Sequence, residues 1–260
     1  MLAEAATPEV SPVSFREAFS VSTEEECPAV TGARCSGCRL RPVCLWSGLS
    51  EAAERELGSL AFAHRRLKLG QALYRSGEPF QAIYLVRSGF IKTVVLLEDG
   101  REQVTGLYMP GETLGMDGIA SARHASDAIA LEDGDVCVVP YDRLEALSRE
   151  ASAVQRHLHR LFSKEIVREQ RMMLLLGSMR AEERVAAFLL NLSERFTALG
   201  FSPSEFVLRM TREEIGSLLG MKLETVSRIF SRFHKDRLIE IEGKHVRIVS
   251  SAGLRRIIGH

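Results

Sequence analysis

The sequence contains no apolar run approaching the roughly 18 residues that a membrane-spanning helix requires. Residues 1–9 hold acidic side chains and no Lys or Arg, unlike the basic start of a secretory signal. Net charge is also lacking, because 34 Lys and Arg balance 34 Asp and Glu, which argues against a generally basic nucleic-acid binder. We therefore expect a cytoplasmic protein without a membrane partner. Its 260 residues, 45% of them hydrophobic, favour two domains.

Motifs of catalysis are missing as well. The chain has no glycine-rich phosphate loop, no His-Glu-x-x-His pattern, and no nucleophile with a base placed to activate it. We expect that the protein is not an enzyme.

Cysteine is scarce, and its placement is informative. Of five cysteines, three form the pattern Cys35-x2-Cys38-x5-Cys44, while Cys27 precedes them and Cys137 lies far along the chain. In the cytoplasm such a group is more typical of metal or redox ligands than of a disulfide framework. Four thiolates can hold an iron-sulfur cluster or a closed structural zinc site, and the cysteines alone leave both possibilities open.

Composition and periodicity separate the first two of four segments. Residues 1–30 are rich in Ala, Glu, Ser and Pro without periodicity, which predicts a loosely ordered tail. Residues 31–150 hold four of the five cysteines and a short helical stretch at residues 50–60. Short apolar runs broken by turn residues follow, which predict an antiparallel barrel or jelly roll. The expected strands are residues 71–74, 82–86, 90–96, 103–108, 125–131 and 135–139, followed by a helix at 141–147.

The third segment, residues 151–180, has helical periodicity. Its apolar stripe advances in alternating steps of three and four, the spacing of a coiled-coil-like seam, so we expect two copies to pair there as a homodimer. The seam residues are His159, Phe162, Ile166, Glu169, Met173 and Leu176. The alternative is that this helix packs on its own barrel. Two Glu169 carboxylates meeting across a twofold axis would repel, which predicts a poised dimer unless Glu169 reaches the solvated rim.

The fourth segment, residues 181–260, has the pattern of a winged helix-turn-helix. Residues 181–199 predict an amphipathic helix, and Thr211 with Glu214 forms a capping box that starts the next one. Gly220 suits the tight turn before a second helix at residues 223–234. The apolar segments 238–241 and 246–249 predict a two-stranded wing.

The second helix of this motif has a polar face suited to DNA. From residue 211 onward, ten Lys and Arg face only six Asp and Glu, so positive charge collects where phosphates would lie. We expect the exposed side chains to contact bases and phosphates in the major groove. The predicted DNA-binding residues are Glu224, Thr225, Ser227, Arg228 and Arg232.

Several of these features together resemble the CRP/FNR superfamily of bacterial transcription regulators, and most of all its oxygen-sensing fumarate and nitrate reductase (FNR) branch. The resemblance rests on the cysteine spacing and on residues 134–140, 181–188 and 224–228, and it covers residues 35–249. It implies an α+β fold with an N-terminal cysteine loop, a cyclic-nucleotide-binding-like β jelly roll, a long dimerisation helix and a C-terminal winged helix-turn-helix.

For the cysteines, the resemblance implies an oxygen-labile 4Fe-4S cluster held by Cys35, Cys38, Cys44 and Cys137, with Cys27 outside the ligand set. The chain would dimerise while the cluster is intact and control anaerobic genes from palindromic sites whose half-sites are similar to TTGAT. Its base-reading trio would be Glu224, Ser227 and Arg228. RNA polymerase is an implied partner, and the turn at residues 98–101 resembles an activating surface of this family in placement. The alternatives are a DNA-binding regulator with a structural zinc or a thiol-disulfide switch, and an electron-transfer protein whose helix pair is incidental.

The CRP branch of the same superfamily binds a cyclic nucleotide in this barrel. This chain is similar to the CRP branch at Pro110-Gly111-Glu112. Where the CRP branch has an Arg-Ser pair that holds the phosphate, however, this chain has Ala125-Ser126-Asp127. An aspartate there would repel a phosphate, so we expect no cyclic nucleotide ligand.

Overall fold

The computed structural model describes Arg39, Leu40, Val43 and residues 63–259. The tail predicted for residues 1–30, the helical stretch at residues 50–60 and the cysteines Cys27, Cys35, Cys38 and Cys44 lie outside the described residues.

Eight strands form the first half of the described chain. They are β1 (Ala63–Leu67), β2 (Ala72–Tyr74), β3 (Ala82–Ser88), β4 (Ile91–Leu96), β5 (Glu102–Tyr108), β6 (Thr113–Leu114), β7 (Asp127–Ala130) and β8 (Gly134–Pro140). They make two four-stranded sheets, with strand orders β1-β8-β3-β6 and β2-β7-β4-β5, and every pairing is antiparallel. The predicted jelly-roll architecture is therefore confirmed.

Two strands of this sandwich were not expected from the sequence. Four of the five side chains of β1 are exposed or half-buried and only Leu67 is buried, so β1 lacks the apolar alternation of a strand. β6 has two residues, too few to show a period. The sheets enclose a core of apolar side chains from all eight strands, among them Leu73, Val86, Ile91 and Val136.

Six helices and a small sheet follow. The helices are α1 (Tyr141–Glu150), α2 (Ser152–Ser178), α3 (Ala181–Ala198), α4 (Arg212–Leu219), α5 (Leu223–Lys235) and α6 (Ser251–Ile258), and the strands are β9 (Glu205–Val207), β10 (Ile239–Glu242) and β11 (His245–Ile248). The wing is three-stranded rather than two-stranded, because β9 pairs with β11. None of the helices in the described part of the chain has the length and apolar character needed to span a membrane.

The outer faces of the two sheets are covered by different parts of the chain. On the first sheet, Ile83, Leu85 and Val139 pack against Leu144 of α1 and Leu158 of α2. On the second, apolar side chains of β4 and β5 join one continuous core with α3, α4, α5 and the wing. The helix-turn-helix unit is therefore packed directly on the sandwich.

The helix-turn-helix itself has the predicted termini. The Thr211 hydroxyl accepts from the Glu214 backbone N–H at 3.1 Å, and the Glu214 carboxylate accepts from the Thr211 N–H at 2.7 Å, which completes the capping box. Gly220 ends α4 in the left-handed conformation, with φ of 64°. Gly216 is needed for close approach, because a Cβ there would lie 2.6 Å from the carbonyl oxygen of Met221.

We expect Gly216→Ala to destabilise the helix-turn-helix by about 1–3 kcal/mol, because the new methyl group would overlap backbone that cannot rotate away. Gly177→Ala is the matched control: Gly177 is exposed in α2, and an added Cβ would meet nothing within 4 Å. Alanine at that position should be neutral or stabilising by up to about 1 kcal/mol. Urea unfolding of both variants measures the difference, and equal stabilities would contradict the close-packing argument.

Candidate functional site

The exposed face of α5 holds the predicted base-contacting residues. Val226, Ile229, Phe230 and Phe233 are buried on the opposite side, and this burial fixes the rotation of α5 about its axis. Glu224 and Arg228 are exposed, while Thr225 and Ser227 are half-buried between them and the core. The Arg228 guanidinium lies 3.4 Å from the Thr225 hydroxyl, which orients it along the outer surface. Four of the five predicted residues therefore share the first two turns of α5.

Arg232, the fifth predicted residue, has intramolecular partners. Its guanidinium forms an ion pair with Glu182 at the start of α3 and a second one, at 3.6 Å, with Asp236. These carboxylates compete with phosphates for the same guanidinium. Arg232 therefore also connects α5 to α3, a role that its sequence position did not suggest.

The wing is held to the helix-turn-helix by Arg212. Its guanidinium stacks 3.8 Å from the centroid of the Phe230 ring and donates to the Gly243 carbonyl at 3.4 Å. This keeps the β10–β11 turn close to α4 and α5. Lys244 and His245 at that turn are exposed on the same domain. The wing therefore adds the exposed Lys244 ammonium to the surface of the DNA-binding domain.

The first helix of the motif is fixed to the second sheet of the sandwich. The Lys92 ammonium pairs with the Glu214 carboxylate at 2.7 Å, and both side chains are less than one-fifth exposed. Burial opposes ionisation of Glu214, but the hydrogen bonds from Lys92 and Thr211 outweigh it and lower the pKa of this carboxyl group. The Val104 N–H donates to the Ser217 hydroxyl at 2.8 Å, and Gln103 donates to the Ser217 carbonyl.

A single arginine joins the long helix to the helix-turn-helix. Arg184 of α3 donates to the carbonyls of Leu176 at 2.6 Å, Met179 at 2.9 Å and Leu219 at 3.0 Å. These carbonyls lie at the C-terminal ends of α2 and α4, where orphan acceptors and the negative ends of two helix dipoles favour a cation. Leu176, the last residue of the predicted seam, is half-buried at this junction.

The middle of the predicted seam on α2 is exposed to solvent. Ile166 is 58% and Met173 66% exposed, and Glu169 and His159 are exposed beside them. Phe162 instead is half-buried against the outer face of the first sheet. The start of α2 therefore packs on its own sandwich, as the alternative interpretation held, while the stretch from Ile166 to Met173 leaves an apolar stripe uncovered.

Cys137 is the one predicted cluster ligand within the described residues. It lies on β8, half-buried, opposite His64 of β1 and Leu85 of β3. It packs at the border of the apolar cluster on the outer face of the first sheet, and Leu40 packs at the same cluster. Leu40, which lies between Cys38 and Cys44 in the sequence, therefore reaches the surface that carries Cys137. A half-buried thiol at this place could serve as one sulfur ligand of a cluster.

Comparison with known proteins identifies the family. Residues 64–151 match the cyclic nucleotide-binding domain, and residues 183–257 match the Crp-like helix-turn-helix domain. The chain is 44% identical over 227 residues to the transcriptional regulatory protein btr of Bordetella pertussis, which covers 87% of this chain and 94% of that protein. It is 43% identical over 231 residues to the transcriptional activator protein anr of Pseudomonas aeruginosa, with coverage of 89% and 95%.

The fumarate and nitrate reduction regulatory protein of Yersinia pestis is 39% identical over 226 residues, covering 87% of this chain and 90% of that protein. The chain belongs to the CRP/FNR family of transcription regulators. Among solved structures, FixK2 from Bradyrhizobium japonicum superposes with a TM-score of 0.71 at 30% identity, over 76% of this chain and 98% of that one. The c-di-GMP responsive regulator CLP of Xanthomonas campestris shares the fold, with a TM-score of 0.62 at 23% identity over 77% and 100%.

As a CRP/FNR family member, the protein is a DNA-binding transcription regulator. The relatives named above are transcriptional regulators, which agrees with the prediction that the chain is not an enzyme. The predicted α+β fold of β jelly roll, long helix and C-terminal helix-turn-helix is confirmed for the described residues.

The segment that carries Ala125 and Ser126 binds a carboxylate of the chain itself. Asp117 accepts hydrogen bonds from the N–H groups of Ala125 at 2.8 Å and Ser126 at 3.2 Å, and from the Ser126 hydroxyl at 3.2 Å. His124 lies 3.2 Å away with its ring stacked on Tyr74. Burial opposes ionisation of Asp117, but these hydrogen bonds outweigh it and keep the pKa of the carboxyl group low.

Asp127, which the sequence singled out as the repelling acid, has a different role. Its carboxylate pairs with Arg75 at 2.7 Å and accepts from the Ser76 N–H at 2.8 Å, which closes a turn of the sandwich. A second acid, Asp117, binds the same segment, and sequence reasoning did not identify it. Asp117 lies eight residues before Ala125, and no local pattern indicated that it would turn back toward that segment.

Proposed function

We propose that the protein is an oxygen-responsive regulator of anaerobic genes, with a 4Fe-4S cluster held by Cys35, Cys38, Cys44 and Cys137. The observation that carries this proposal is the packing of Leu40, from within the cysteine loop, on the apolar cluster that borders Cys137. The names of the Pseudomonas and Yersinia relatives, an anr activator and a fumarate and nitrate reduction regulator, support it.

The role of Cys137 follows from its place in the fold. When bound, a 4Fe-4S cluster would supply an oxygen-labile centre held by the cysteine thiolates. Cys137 on β8 would tie the cysteine loop to the first sheet, and β8 continues directly into α1 and then α2. Loss of that tie would change the contacts of Leu40 beside the start of α2. The alternative, a structural zinc or thiol-disulfide switch on the same cysteines, would tie the loop in the same place without the same response to oxygen.

A homodimer formed along α2 is part of the proposal. Ile166, Val167, Met173 and Leu174 are all exposed on one stretch of this helix, and a contiguous apolar stripe on a helix is what a second copy would cover. Paired helices would set two α5 helices against successive turns of a palindrome with TTGAT-type half-sites. Glu169 lies within the stripe, so dimerisation would be easily reversed.

RNA polymerase is a further partner in the proposal. The turn between β4 and β5 is exposed, from Glu98 to Arg101, and offers a surface for RNA polymerase. A cyclic nucleotide is not proposed as an effector, because the donors of Ala125 and Ser126 already bind the Asp117 carboxylate.

The cofactor is tested by purifying the protein without air and recording its visible spectrum before and after oxygen is admitted. We expect a broad brown absorbance that bleaches in air, and iron on metal analysis. Cys137→Ser, prepared in parallel, should be colourless because the fourth ligand is lost. A wild-type protein that binds zinc stoichiometrically after anaerobic purification, with no iron, would favour the zinc alternative.

The poised dimer is tested with Glu169→Ala. We expect this variant to remain dimeric and to bind DNA after exposure to air, because the repulsion between two carboxylates has been removed. Glu150→Ala, which removes an exposed carboxylate from α1, is the control and should stay as oxygen-sensitive as wild type. Analytical ultracentrifugation and DNA titration measure both. Wild-type oxygen sensitivity in Glu169→Ala would rule out the repulsion hypothesis.

The reading face is tested by comparing Arg228→Ala with Arg232→Ala. Arg228→Ala should lose about 1–3 kcal/mol of binding free energy on a TTGAT palindrome and much less on scrambled DNA, because it removes a base contact. Arg232→Ala should weaken both duplexes to a similar and smaller extent, since Glu182 and Asp236 already engage Arg232. An equal loss on both duplexes for Arg228→Ala would make Arg228 a phosphate contact.

A further inference from the structure

We propose that Glu112 is a positioning residue through which the cysteine loop controls the orientation of the DNA-binding domain. The inference rests on the proposed function and adds a route for regulation. The route runs from Val43 through Gly111 and Glu112 to Arg195.

The first step is the contact between the cysteine loop and the turn after β5. Val43, the residue before Cys44, is held in a turn by its N–H, which donates to the Leu40 carbonyl at 2.9 Å. A Cβ at Gly111 would lie 2.8 Å from Cγ2 of Val43, and Gly111 has a φ of 89°. Glycine is therefore required at this position both for the backbone conformation and to let Val43 approach.

The second step is the next residue, Glu112, whose carboxylate binds the DNA-binding domain. Its Oε1 accepts from Nε of Arg195 at 2.8 Å, and its Oε2 accepts from Nη2 of Arg195 at 2.6 Å. Oε2 also accepts from the Met109 N–H at 2.9 Å. This bidentate pair has two parallel bonds in a fixed plane, so it is sensitive to the direction from which α3 approaches.

The third step brings in the long helix at the same point. Arg195 and Arg168 both donate to the Leu107 carbonyl, each at 2.7 Å. The Arg168 guanidinium lies 3.9 Å from Glu112 and 4.4 Å from the centroid of the Tyr108 ring. The turn after β5 therefore meets α2 and α3 together, one residue away from Glu169 of the predicted dimer stripe.

A groove of about 630 Å³ lies at this junction, between β5, α2, α3 and α4, and Glu112, Arg168 and Arg195 are among its lining residues. Val167, Glu169 and Leu174 of the proposed dimer stripe line the same groove, so the junction borders the proposed dimer face. While Cys44 is held, Val43 keeps the Gly111 turn in position and Glu112 aims at Arg195. When Cys44 is released, that restraint is lost.

The test measures the affinity of each protein for a labelled TTGAT palindrome, first without air and then after exposure to air. The quantity compared between variants is the anaerobic affinity divided by the air-exposed affinity. Val43→Ala removes the contact with Gly111, and Glu112→Gln weakens the bond to Arg195 at nearly constant volume. We expect each variant to reduce the wild-type ratio by about fivefold or more, the usual scale of coupling between sites. We expect the double variant to show no further reduction, because both substitutions interrupt one route.

The matched control is Glu132→Gln. Glu132 also joins the sandwich to the DNA-binding domain, through an ion pair of 3.2 Å with Arg209, but it is not part of the route from Val43 through Gly111 to Glu112. Its ratio should equal that of wild type. Arg195→Lys keeps the positive charge and loses the bidentate geometry, so it should also reduce the affinity ratio. This variant replaces Glu112→Gln in the test if Glu112→Gln does not fold.

A second measurement does not depend on DNA binding. In wild type, amide hydrogen exchange of residues 109–112 should become faster after air treatment. In Val43→Ala, the exchange of these residues should already be fast before air is admitted. If the two reductions of the affinity ratio multiply in the double variant, the route is wrong. An unchanged affinity ratio in Glu112→Gln would also overturn the route. Either result would leave the oxygen response of the wild type intact. A wild-type ratio of one would instead overturn the proposed function, and this inference with it.

Discussion

Burial of the outer face of the second sheet is the constraint on which the rest of the structure depends. Val94 of β4, Leu107 of β5 and Phe90, just before β4, project on the side away from the sandwich interior. A sheet with two apolar faces cannot leave one of them in water, and here the DNA-binding domain covers it. One hydrophobic core therefore extends from the second sheet of the sandwich to α5, so the sandwich and the DNA-binding domain are coupled by packing.

Polar contacts at the edge of this core set the orientation of the DNA-binding domain. Apolar burial has no preferred direction, so by itself it would allow the domain to slide over the sheet. The pair of Lys92 with Glu214, the three carbonyl bonds of Arg184 and the fork of Arg195 on Glu112 are each partly buried. Groups removed from water need their partners, and one orientation satisfies all of these contacts together.

We propose that this barrel is controlled differently from a barrel that binds a nucleotide. Asp117 supplies an internal anion to Ala125 and Ser126, and Glu112 turns outward to Arg195. In our interpretation the interior of the sandwich has become structural, and regulation acts on its surface, where the cysteine loop and the dimer helix meet. A fold keeps its architecture while the site that gives it function moves.

The sequence by itself determined six strands of the sandwich, the long helix and the helix-turn-helix boundaries, because capping residues, turn glycines and periodicity act over a few positions. The Thr211 capping box and the αL turn at Gly220 are examples. It missed β1, which is largely polar, and β6, which is too short for a period. Only the tertiary structure decided that Glu112 binds Arg195 and Lys92 binds Glu214, across 83 and 122 residues. Such pairs depend on which surface covers the second sheet, and no local pattern encodes that choice.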